Sequence, residues 1–239
     1  MARLPRIDIP GIPQHLIARG NNRSVLFQDD ADRCIYLQFM QQALEKCACE
    51  VHAYVLMSNH VHILATGHCE GDLSDFMQRI GRKFARLMNL RWNRTGTLFE
   101  GRFWSSPVDS HAYLLTCMRY IELNPVRAGI VKHAKEFGWS SYRQNADGSP
   151  AGLLTPHSQY RRLGATPEER AENYRGLVAR GVSEEDLTRI RQCALKRRAL
   201  GSDAFCEEMA ERLGRPVAPI PRGRPKKGTD SKMNLTPFI

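Results

Sequence analysis

Two apolar runs meet at a short polar turn in Tyr54-Val55-Leu56-Met57-Ser58-Asn59-His60-Val61-His62-Ile63-Leu64, and this segment constrains the fold more than any other. The pattern predicts a β-hairpin with strands over residues 50–56 and 60–65. Side chains in a strand alternate between the two faces of a sheet, so His60 and His62 project from the same face. Two imidazoles held side by side on a rigid sheet form half of a site for a divalent metal ion.

The sequence on either side of this hairpin predicts an alternation of strands and helices. Apolar spacing indicates a strand over residues 15–19, helices over 29–47 and 74–91, a short strand-like segment within 97–108 and a third helix over 109–124. This order is typical of an α+β domain with a mainly antiparallel sheet and with helices packed on one face. The second face of the sheet is expected to stay free for binding.

The third predicted helix contains residues that can complete a site with the histidines. Leu114, Met118 and Ile121 recur at helical spacing and are expected to face the core. Tyr120 and Asn124 lie one turn apart on the same side of this helix. A phenol oxygen and an amide oxygen that emerge together can meet the histidine pair from across the sheet.

Several separate stretches of the chain form an ordered series that is typical of one known family. They are Pro10-Gly11 followed by His15 and Arg19-Gly20-Asn21-Asn22-Arg23; Ala53 to His62; Gly96-Thr97-Leu98-Phe99-Glu100-Gly101-Arg102; Arg119 to Gly129; and Trp139-Ser140-Ser141-Tyr142. On these residues the chain resembles the REP-associated tyrosine transposases, which are HUH single-strand transposases with one catalytic tyrosine. The resemblance covers roughly residues 5–145. A lone His-x-His motif is a weak signal, whereas the ordered series is highly specific.

The resemblance implies a fold, an activity and a set of site residues. The implied fold is a ferredoxin-like, RRM-type sheet. His60 and His62 would bind Mg²⁺ or Mn²⁺ as a pair, and Asn124 would be a third metal ligand. Tyr120 would be the nucleophile. The expected activity is that of a metal-dependent single-strand DNA endonuclease and strand transferase, which acts at repeat hairpins through a 5′-phosphotyrosine intermediate.

The composition favours a nucleic acid as the partner. The 239 residues carry a net charge of +10, which favours a polyanion, nucleic acid before membrane. No apolar stretch approaches the roughly 20 residues that a membrane-spanning helix requires, and the N-terminus lacks the apolar segment of a signal peptide. Seven irregularly spaced cysteines fit a reducing compartment. We therefore expect a cytoplasmic, nucleoid-associated protein without membrane contact, either a monomer or a homodimer.

Basic side chains predict where DNA is held. The set on or shortly after the second predicted helix is Arg79, Arg82, Lys83, Arg86 and Arg102, and Glu100 is the only acidic residue between positions 79 and 102. Such density predicts a phosphate-tracking surface with salt-sensitive binding, although a solvated basic face is the alternative explanation. Arg19, Asn22 and Arg23 border the first strand, and the resemblance suggests that they contact the foot of a hairpin.

The composition also divides the chain into regions. Residues 1–148 are expected to form the HUH catalytic domain, residues 149–167 a linker, residues 168–214 a small helical region and residues 215–239 a disordered basic tail. Within the tail, Pro221-Arg222-Gly223-Arg224-Pro225-Lys226-Lys227 is similar to an AT-hook. Arg222 and Arg224 in such a segment fit the narrow minor groove of A·T-rich duplex DNA. A solubilising basic tail explains the same residues.

Two other functions share these features. One is a non-catalytic DNA-binding regulator of repeat sequences, whose mark would be the loss of a histidine or of the tyrosine, and both are intact here. The other is a replication-initiator-type nickase, which uses the same two-histidine site but is disfavoured by the single compact catalytic domain without a helicase-like extension. A labelled single-stranded repeat hairpin with Mn²⁺ separates the enzyme from the regulator, because only the enzyme forms a covalent adduct.

Overall fold

The computed structural model describes residues 7–147 and 152–217. Four strands in this part of the chain form one sheet: β1 (Gln14–Arg19), β2 (Cys49–Met57), β3 (His60–Gly67) and β4 (Trp104–Pro107). The strand order is β2-β3-β1-β4, and every neighbouring pair is antiparallel. The predicted antiparallel sheet is therefore confirmed.

Two helices connect the strands in a β-α-β-β-α-β order. α1 (Asp30–Leu44) joins β1 to β2, and α2 (Asp72–Arg91) joins β3 to β4. The further helices are α3 (Leu114–Glu122), α4 (Asn124–Arg127), α5 (Tyr142–Asp147), α6 (Ser158–Arg161), α7 (Pro167–Ala179), α8 (Glu184–Lys196) and α9 (Asp203–Leu213). This is a ferredoxin-like α+β arrangement with a helical C-terminal addition, as the sequence predicts.

The first face of the sheet packs against α1 and α2. Leu16, Val61 and Ile63 alternate along their strands with residues of the opposite face, and they are fully buried on this one. Ile80 and Phe84 of α2, which are one turn apart, pack in the same cluster. Side chains on one face recur every two residues in a strand and about every 3.6 residues in a helix. Apolar residues at these spacings therefore face this core from both kinds of element.

The second face of the sheet is also covered, contrary to the expectation that it stays free. Val55 and Leu64 lie in a second core with Met118 of α3, Tyr174 of α7 and Ile190 of α8. Apolar strand residues on this face gain roughly 1.5–3 kcal/mol each when they are removed from water. The helices that follow β4 therefore close over them, and this packing brings α3 onto the sheet.

A buried carboxylate holds the end of α3. Glu122 is fully buried and accepts hydrogen bonds from Ser141 at 2.5 Å, Asn145 at 2.7 Å and Tyr174 at 2.6 Å. Ser141 in turn accepts a hydrogen bond from the backbone N–H of Tyr54 on β2. The last turn of α3 is thus tied to the sheet, to the start of α5 and to α7.

The C-terminal part of the chain differs from the predicted regions. The expected linker spans residues 149–167, but its described part, from residue 152 on, contains α6, and Tyr160 from this helix is buried in the second core. The tail is described only as far as Val217, which is buried. Arg222 and Arg224 lie outside the described residues. In the part of the chain that the structure describes, no helix combines the length and the apolar character that a membrane crossing requires.

Candidate active site

β3 holds His60 and His62 on the face of the sheet that α3 covers. The centroids of their rings are 4.9 Å apart, and the ring planes are nearly perpendicular. Burial lowers the pKa of His60 to about 4 and the pKa of His62 well below its ordinary value, because a charged ring is poorly solvated there. The positive charge of Arg19 acts in the same direction on both rings. Both imidazoles are thus neutral at pH 7, and the neutral form is the one that binds a metal ion.

Asn59 determines which nitrogen of His60 is available. The Asn59 side chain donates a hydrogen bond from Nδ2 to the carbonyl oxygen of Arg23 at 3.1 Å, which orients its amide. Its Oδ1 lies 2.7 Å from Nδ1 of His60. An amide oxygen can only accept, so Nδ1 carries the proton and Nε2 of His60 keeps its lone pair. Asn59 is not among the predicted site residues, although its position in the hairpin turn next to His60 was the available signal.

His15 on β1 is a second residue to which the sequence assigns no role. Its Nε2 lies 2.8 Å from Nδ1 of His62, and the two rings stack with centroids 5.0 Å apart. Burial lowers the pKa of His15 to about 3, so this ring is also neutral. When Nδ1 of His62 donates the hydrogen bond, Nε2 of the same ring carries no proton and keeps its lone pair for a metal ion. Strand alternation puts His15 and Arg19 on one face, but only the pairing of β1 with β3 shows that His15 meets His62.

Tyr120 of α3 lies against the histidine cluster. The centroid of its ring is 6.0 Å from that of His62 and 5.9 Å from that of His15, and both contacts are edge-to-face. Tyr120 is only 7 % exposed. Its burial results from the packing of α3 on the sheet, in which Leu114, Met118 and Ile121 face the core as the helical spacing predicts. The sequence-predicted partners Tyr120, His60 and His62 are thus brought together.

Two guanidinium groups flank the Tyr120 phenol. Arg127 of α4 lies with its Cζ 4.3 Å from the ring centroid, and its Nη2 donates a hydrogen bond to the carbonyl oxygen of Tyr120 at 2.7 Å. Burial raises the pKa of Tyr120, and the positive charges of Arg127 and of Arg191 on α8 oppose that rise. Neither arginine is among the predicted site residues. Arg127 belongs to the quoted series, but Arg191 comes from the C-terminal helices and carries no local signal.

Asn124 begins α4, one helical turn after Tyr120, and is half-buried. Its backbone carbonyl accepts the N–H of Ala128. No hydrogen bond to its side chain occurs among the residues that the structure describes. A role of Asn124 as a metal ligand therefore stays a prediction.

Two of the predicted DNA-binding residues meet at one cavity. Arg82 of α2 and Arg102 of the loop before β4 line a cavity of about 360 Å³ together with Phe99 and Phe103. The guanidinium groups of Arg82 and Arg102 form neither an ion pair nor a hydrogen bond with any other described residue. Unpaired cations next to aromatic rings suit the backbone and bases of a single strand.

The other predicted residues on α2 are engaged within the protein or exposed. Arg79 forms an ion pair with Asp75 at 2.7 Å, and Lys83 donates a hydrogen bond to Gln42 at 2.8 Å. Arg86 is exposed. The predicted phosphate-tracking face is therefore narrower than the sequence suggests, because a linear sequence does not show which basic side chains find partners in the fold.

The turn after β1 brings the remaining predicted residues near the histidines. Arg19 lies with its guanidinium 5.0 Å from the ring centroid of Trp104. Asn22 and Arg23 are exposed and adopt positive φ angles of 51° and 57°. The carbonyl of Arg23 is the group that orients Asn59. This turn thus borders the site directly.

The donor set fits a metal ion with two protein ligands. His60 and His62 are neutral imidazoles held on one face, and no group of three or more His, Cys, Asp and Glu side chains suited to a metal occurs within residues 7–147 and 152–217. Water or phosphate oxygens would complete the coordination, which suits a hard cation such as Mg²⁺ or Mn²⁺. The residues are therefore compatible with the predicted ion without identifying it.

Comparison with solved structures gives several matches, and two of them are described as transposases. One, described as a REP-associated tyrosine transposase bound to a REP hairpin, covers 66 % of this chain and 96 % of its own, at 21 % identity and a TM-score of 0.54. A candidate transposase from Deinococcus radiodurans R1 covers 51 % of this chain and 96 % of its own, at 21 % identity and a TM-score of 0.34. At this identity the first likeness shows the fold. A search of curated proteins gave no match.

The comparison with protein families is more informative. Residues 9–124 match the family described as Transposase IS200 like. The matched range contains all four strands of the sheet, the three histidines of the site and Tyr120, and it ends at Asn124. Helices α5 to α9 lie beyond it. Residues 9–124, just under half of the chain, are thus similar to the IS200-like transposases.

Proposed function

We propose that this protein is a metal-dependent single-strand DNA endonuclease and strand transferase that acts at hairpin-forming repeats. The observation that supports it most is the meeting of Tyr120 and His62, whose ring centroids are 6.0 Å apart although they lie on separate elements. The match of residues 9–124 to a transposase family is in agreement with this chemistry. A hairpin as the substrate is suggested by the solved relative that is bound to one.

Tyr120 supplies the nucleophile. Its phenolic oxygen attacks the scissile phosphorus, and the bond from phosphorus to the 3′ oxygen breaks as the new bond forms. The products are a 5′-phosphotyrosine and a free 3′-OH, and the phenolic proton is balanced by the proton that the leaving 3′ oxygen gains. The new linkage is still a phosphodiester, so a second 3′-OH can reverse the step and join strands.

Arg127 and Arg191 assist the loss of the phenolic proton. A buried phenolate without neighbouring cations is costly, and for this reason burial alone raises the pKa of Tyr120. The two guanidinium groups favour the phenolate and are in place before the substrate arrives. They also add positive charge where the phosphate must approach.

The histidines provide a prepared site for the cation. His60 and His62 would hold Mg²⁺ or Mn²⁺ through their Nε2 atoms, and the ion would withdraw charge from the phosphate oxygens. Asn59 and His15 hold the two rings through their Nδ1 atoms. The ligands are therefore oriented in advance and need little rearrangement.

Replacement of the nucleophile tests this function. Tyr120→Phe removes only the phenolic oxygen, so we expect it to abolish the covalent adduct with a labelled single-stranded repeat hairpin in Mn²⁺ while DNA affinity stays within about twofold. Denaturing gels before and after protease treatment detect the adduct, and fluorescence anisotropy measures the affinity. Chelation of the metal with EDTA is expected to prevent adduct formation in the unchanged protein.

The control for this experiment is Tyr113→Phe, which removes a hydroxyl from a half-buried tyrosine just before α3. This variant is expected to form the adduct normally. An adduct that still forms in Tyr120→Phe would show that another residue is the nucleophile.

A non-catalytic DNA-binding role is the second candidate, and the observation that favours it is the 7 % exposure of Tyr120. Tight binding of the hairpin without any adduct, with Mn²⁺ or Mg²⁺ present, would establish that role and exclude the enzyme.

A further inference from the structure

A cleft of about 700 Å³ is lined by Arg127, which contacts the proposed nucleophile, and its other lining residues have no part in the function described so far. One wall consists of Leu123, Val126 and Arg127, on the turn that follows Tyr120 and on α4. The opposite wall comes from α7, α8 and the turn between them. We propose that this cleft binds the phosphodiester backbone of the single-stranded DNA next to the cleavage point.

The charge around the cleft is almost entirely positive. Lys132, Lys135 and Arg175 line it together with Arg127, and Glu184 is the only acidic residue among the described residues that line it. Lys132 and Lys135 are exposed, and neither ammonium group forms a hydrogen bond or an ion pair with another described residue. Unpaired ammonium groups on the rim of an apolar cleft suit a ligand that is a chain of phosphates with apolar sugars and bases.

Arg127 gives an independent indication of an anionic ligand. One side of its guanidinium is used, since Nη2 donates to the carbonyl oxygen of Tyr120. Its Nη1 is buried and has no hydrogen-bond partner among the described residues. A buried charged donor without a partner is energetically costly, and a phosphate oxygen is an acceptor to which a guanidinium group donates strong hydrogen bonds.

The position of the cleft makes single-stranded DNA the ligand that fits. Arg127 lines the cleft and also contacts the Tyr120 ring, so a strand lying in the cleft is one side chain away from the proposed nucleophile. Apart from Leu123, the cleft is built from residues beyond the family match, which ends at Asn124. The C-terminal helices would therefore supply a DNA contact that this chain adds to the family fold. This inference rests on the proposed function, because it assigns the path of the same substrate.

Neutral variants of the two lysines test the cleft. Lys132→Gln and Lys135→Gln each remove one charge from an exposed position, so both proteins should fold normally. The control is Lys46→Gln, an exposed lysine just after α1, which packs on the other face of the sheet. The affinity for a fluorescent single-stranded repeat hairpin with flanking nucleotides is measured by anisotropy at several salt concentrations.

The expected result is a smaller dependence of affinity on salt. A single-strand phosphate contact contributes a slope of about 0.7 in log K against log salt, so each cleft variant should lose about 0.7 and the double variant about 1.4. Lys46→Gln should leave the slope unchanged. Slopes in the cleft variants equal to that of the unchanged protein would overturn the inference, as would equal losses in Lys46→Gln.

The adduct assay on the same variants separates this inference from the proposed function. Normal adduct formation with unaltered salt slopes would refute DNA binding in the cleft and would still support the proposed endonuclease function. Altered salt slopes in the cleft variants, together with no adduct in the unchanged protein, would support DNA binding in the cleft and refute the proposed endonuclease function. Absence of binding to single-stranded DNA by the unchanged protein would refute both.

Discussion

Single hydrogen bonds decide how the histidines of this site present their nitrogens. The Oδ1 atom of Asn59 can only accept a hydrogen bond, so the proton of the His60 ring lies on Nδ1. The contact between His15 and His62 joins two neutral rings, and either ring can be the donor. A metal ion bound at Nε2 of His62 would select the arrangement in which Nδ1 of His62 donates, because only then does Nε2 carry no proton. His15 therefore acts as a positioning residue.

This role of His15 predicts a change in metal affinity. His15→Ala leaves Nδ1 of His62 without its partner, and we expect Mn²⁺ to bind about 10- to 100-fold more weakly. His15→Gln retains an acceptor at this position and should lose less. Calorimetric titration with Mn²⁺ measures the affinity, and ¹⁵N chemical shifts of His62 report its tautomer.

A matched control is His52→Gln. His52 is a buried histidine outside the Tyr120 cluster. Its Nδ1 lies 2.8 Å from the carbonyl oxygen of Thr155, and its Nε2 lies 2.8 Å from the hydroxyl oxygen of Thr66. The His52→Gln variant should bind Mn²⁺ with unchanged affinity. Equal affinities of His15→Ala and the unchanged protein would show that His15 does not orient His62.

At the scale of elements, the position of α3 determines where Tyr120, the proposed nucleophile, lies. Arg119 donates hydrogen bonds to the carbonyl oxygens of Leu177 at 3.3 Å and Gly181 at 2.6 Å, which ties α3 to the end of α7. Glu122, one turn further, is held by Ser141, Asn145 and Tyr174. Both anchors lie next to Tyr120 in sequence, so a shift of α7 would move the phenol.

The buried carboxyl of Glu122 predicts a pH dependence of stability. Burial raises its pKa to about 7 in the folded protein, and the three hydrogen-bond donors only partly oppose the rise. The folded state therefore keeps a proton that the unfolded state releases near pH 4.5. The stabilisation is fully present below the unfolded pKa and is lost as the pH rises through about 7, by up to roughly 3 kcal/mol.

Urea unfolding at a series of pH values between 4 and 8 measures this dependence. Glu122→Gln cannot ionise and still offers an oxygen to Ser141 and Asn145, so the difference in unfolding free energy between variant and unchanged protein should grow in favour of the variant as the pH rises. A difference that is constant over this range would contradict the assignment.

At the scale of the whole molecule, the C-terminal helices are part of the folded core. The second core combines β2 and β3 with α3, α7 and α8, as Leu64, Met118, Tyr174 and Ile190 show. The region between β4 and Val217 is therefore not an appendage to a complete transposase fold. It covers the sheet face that carries the site and supplies Arg191.

Truncation tests this view of the molecule. Removal of residues 158–217 with the tail would expose the second core, and each large side chain left in water loses roughly 1.5–3 kcal/mol. We expect the shortened chain to lose several kcal/mol of unfolding free energy or its cooperative unfolding altogether, as measured by circular dichroism. The control removes only the tail after Val217. A truncated chain as stable as the control would show that the part before residue 158 folds independently.

Local patterns in the sequence determined the strands around the hairpin, the shared face of His60 and His62, and the helix that carries Tyr120. These follow from periods of two and 3.6 residues, which need no knowledge of the rest of the chain. The tertiary structure alone decided that His15 meets His62, that Arg127 and Arg191 flank Tyr120, and that helices cover the second face. Such contacts join residues far apart in sequence, and their distances are set by how whole elements pack, because apolar surface is buried wherever the fold brings it together.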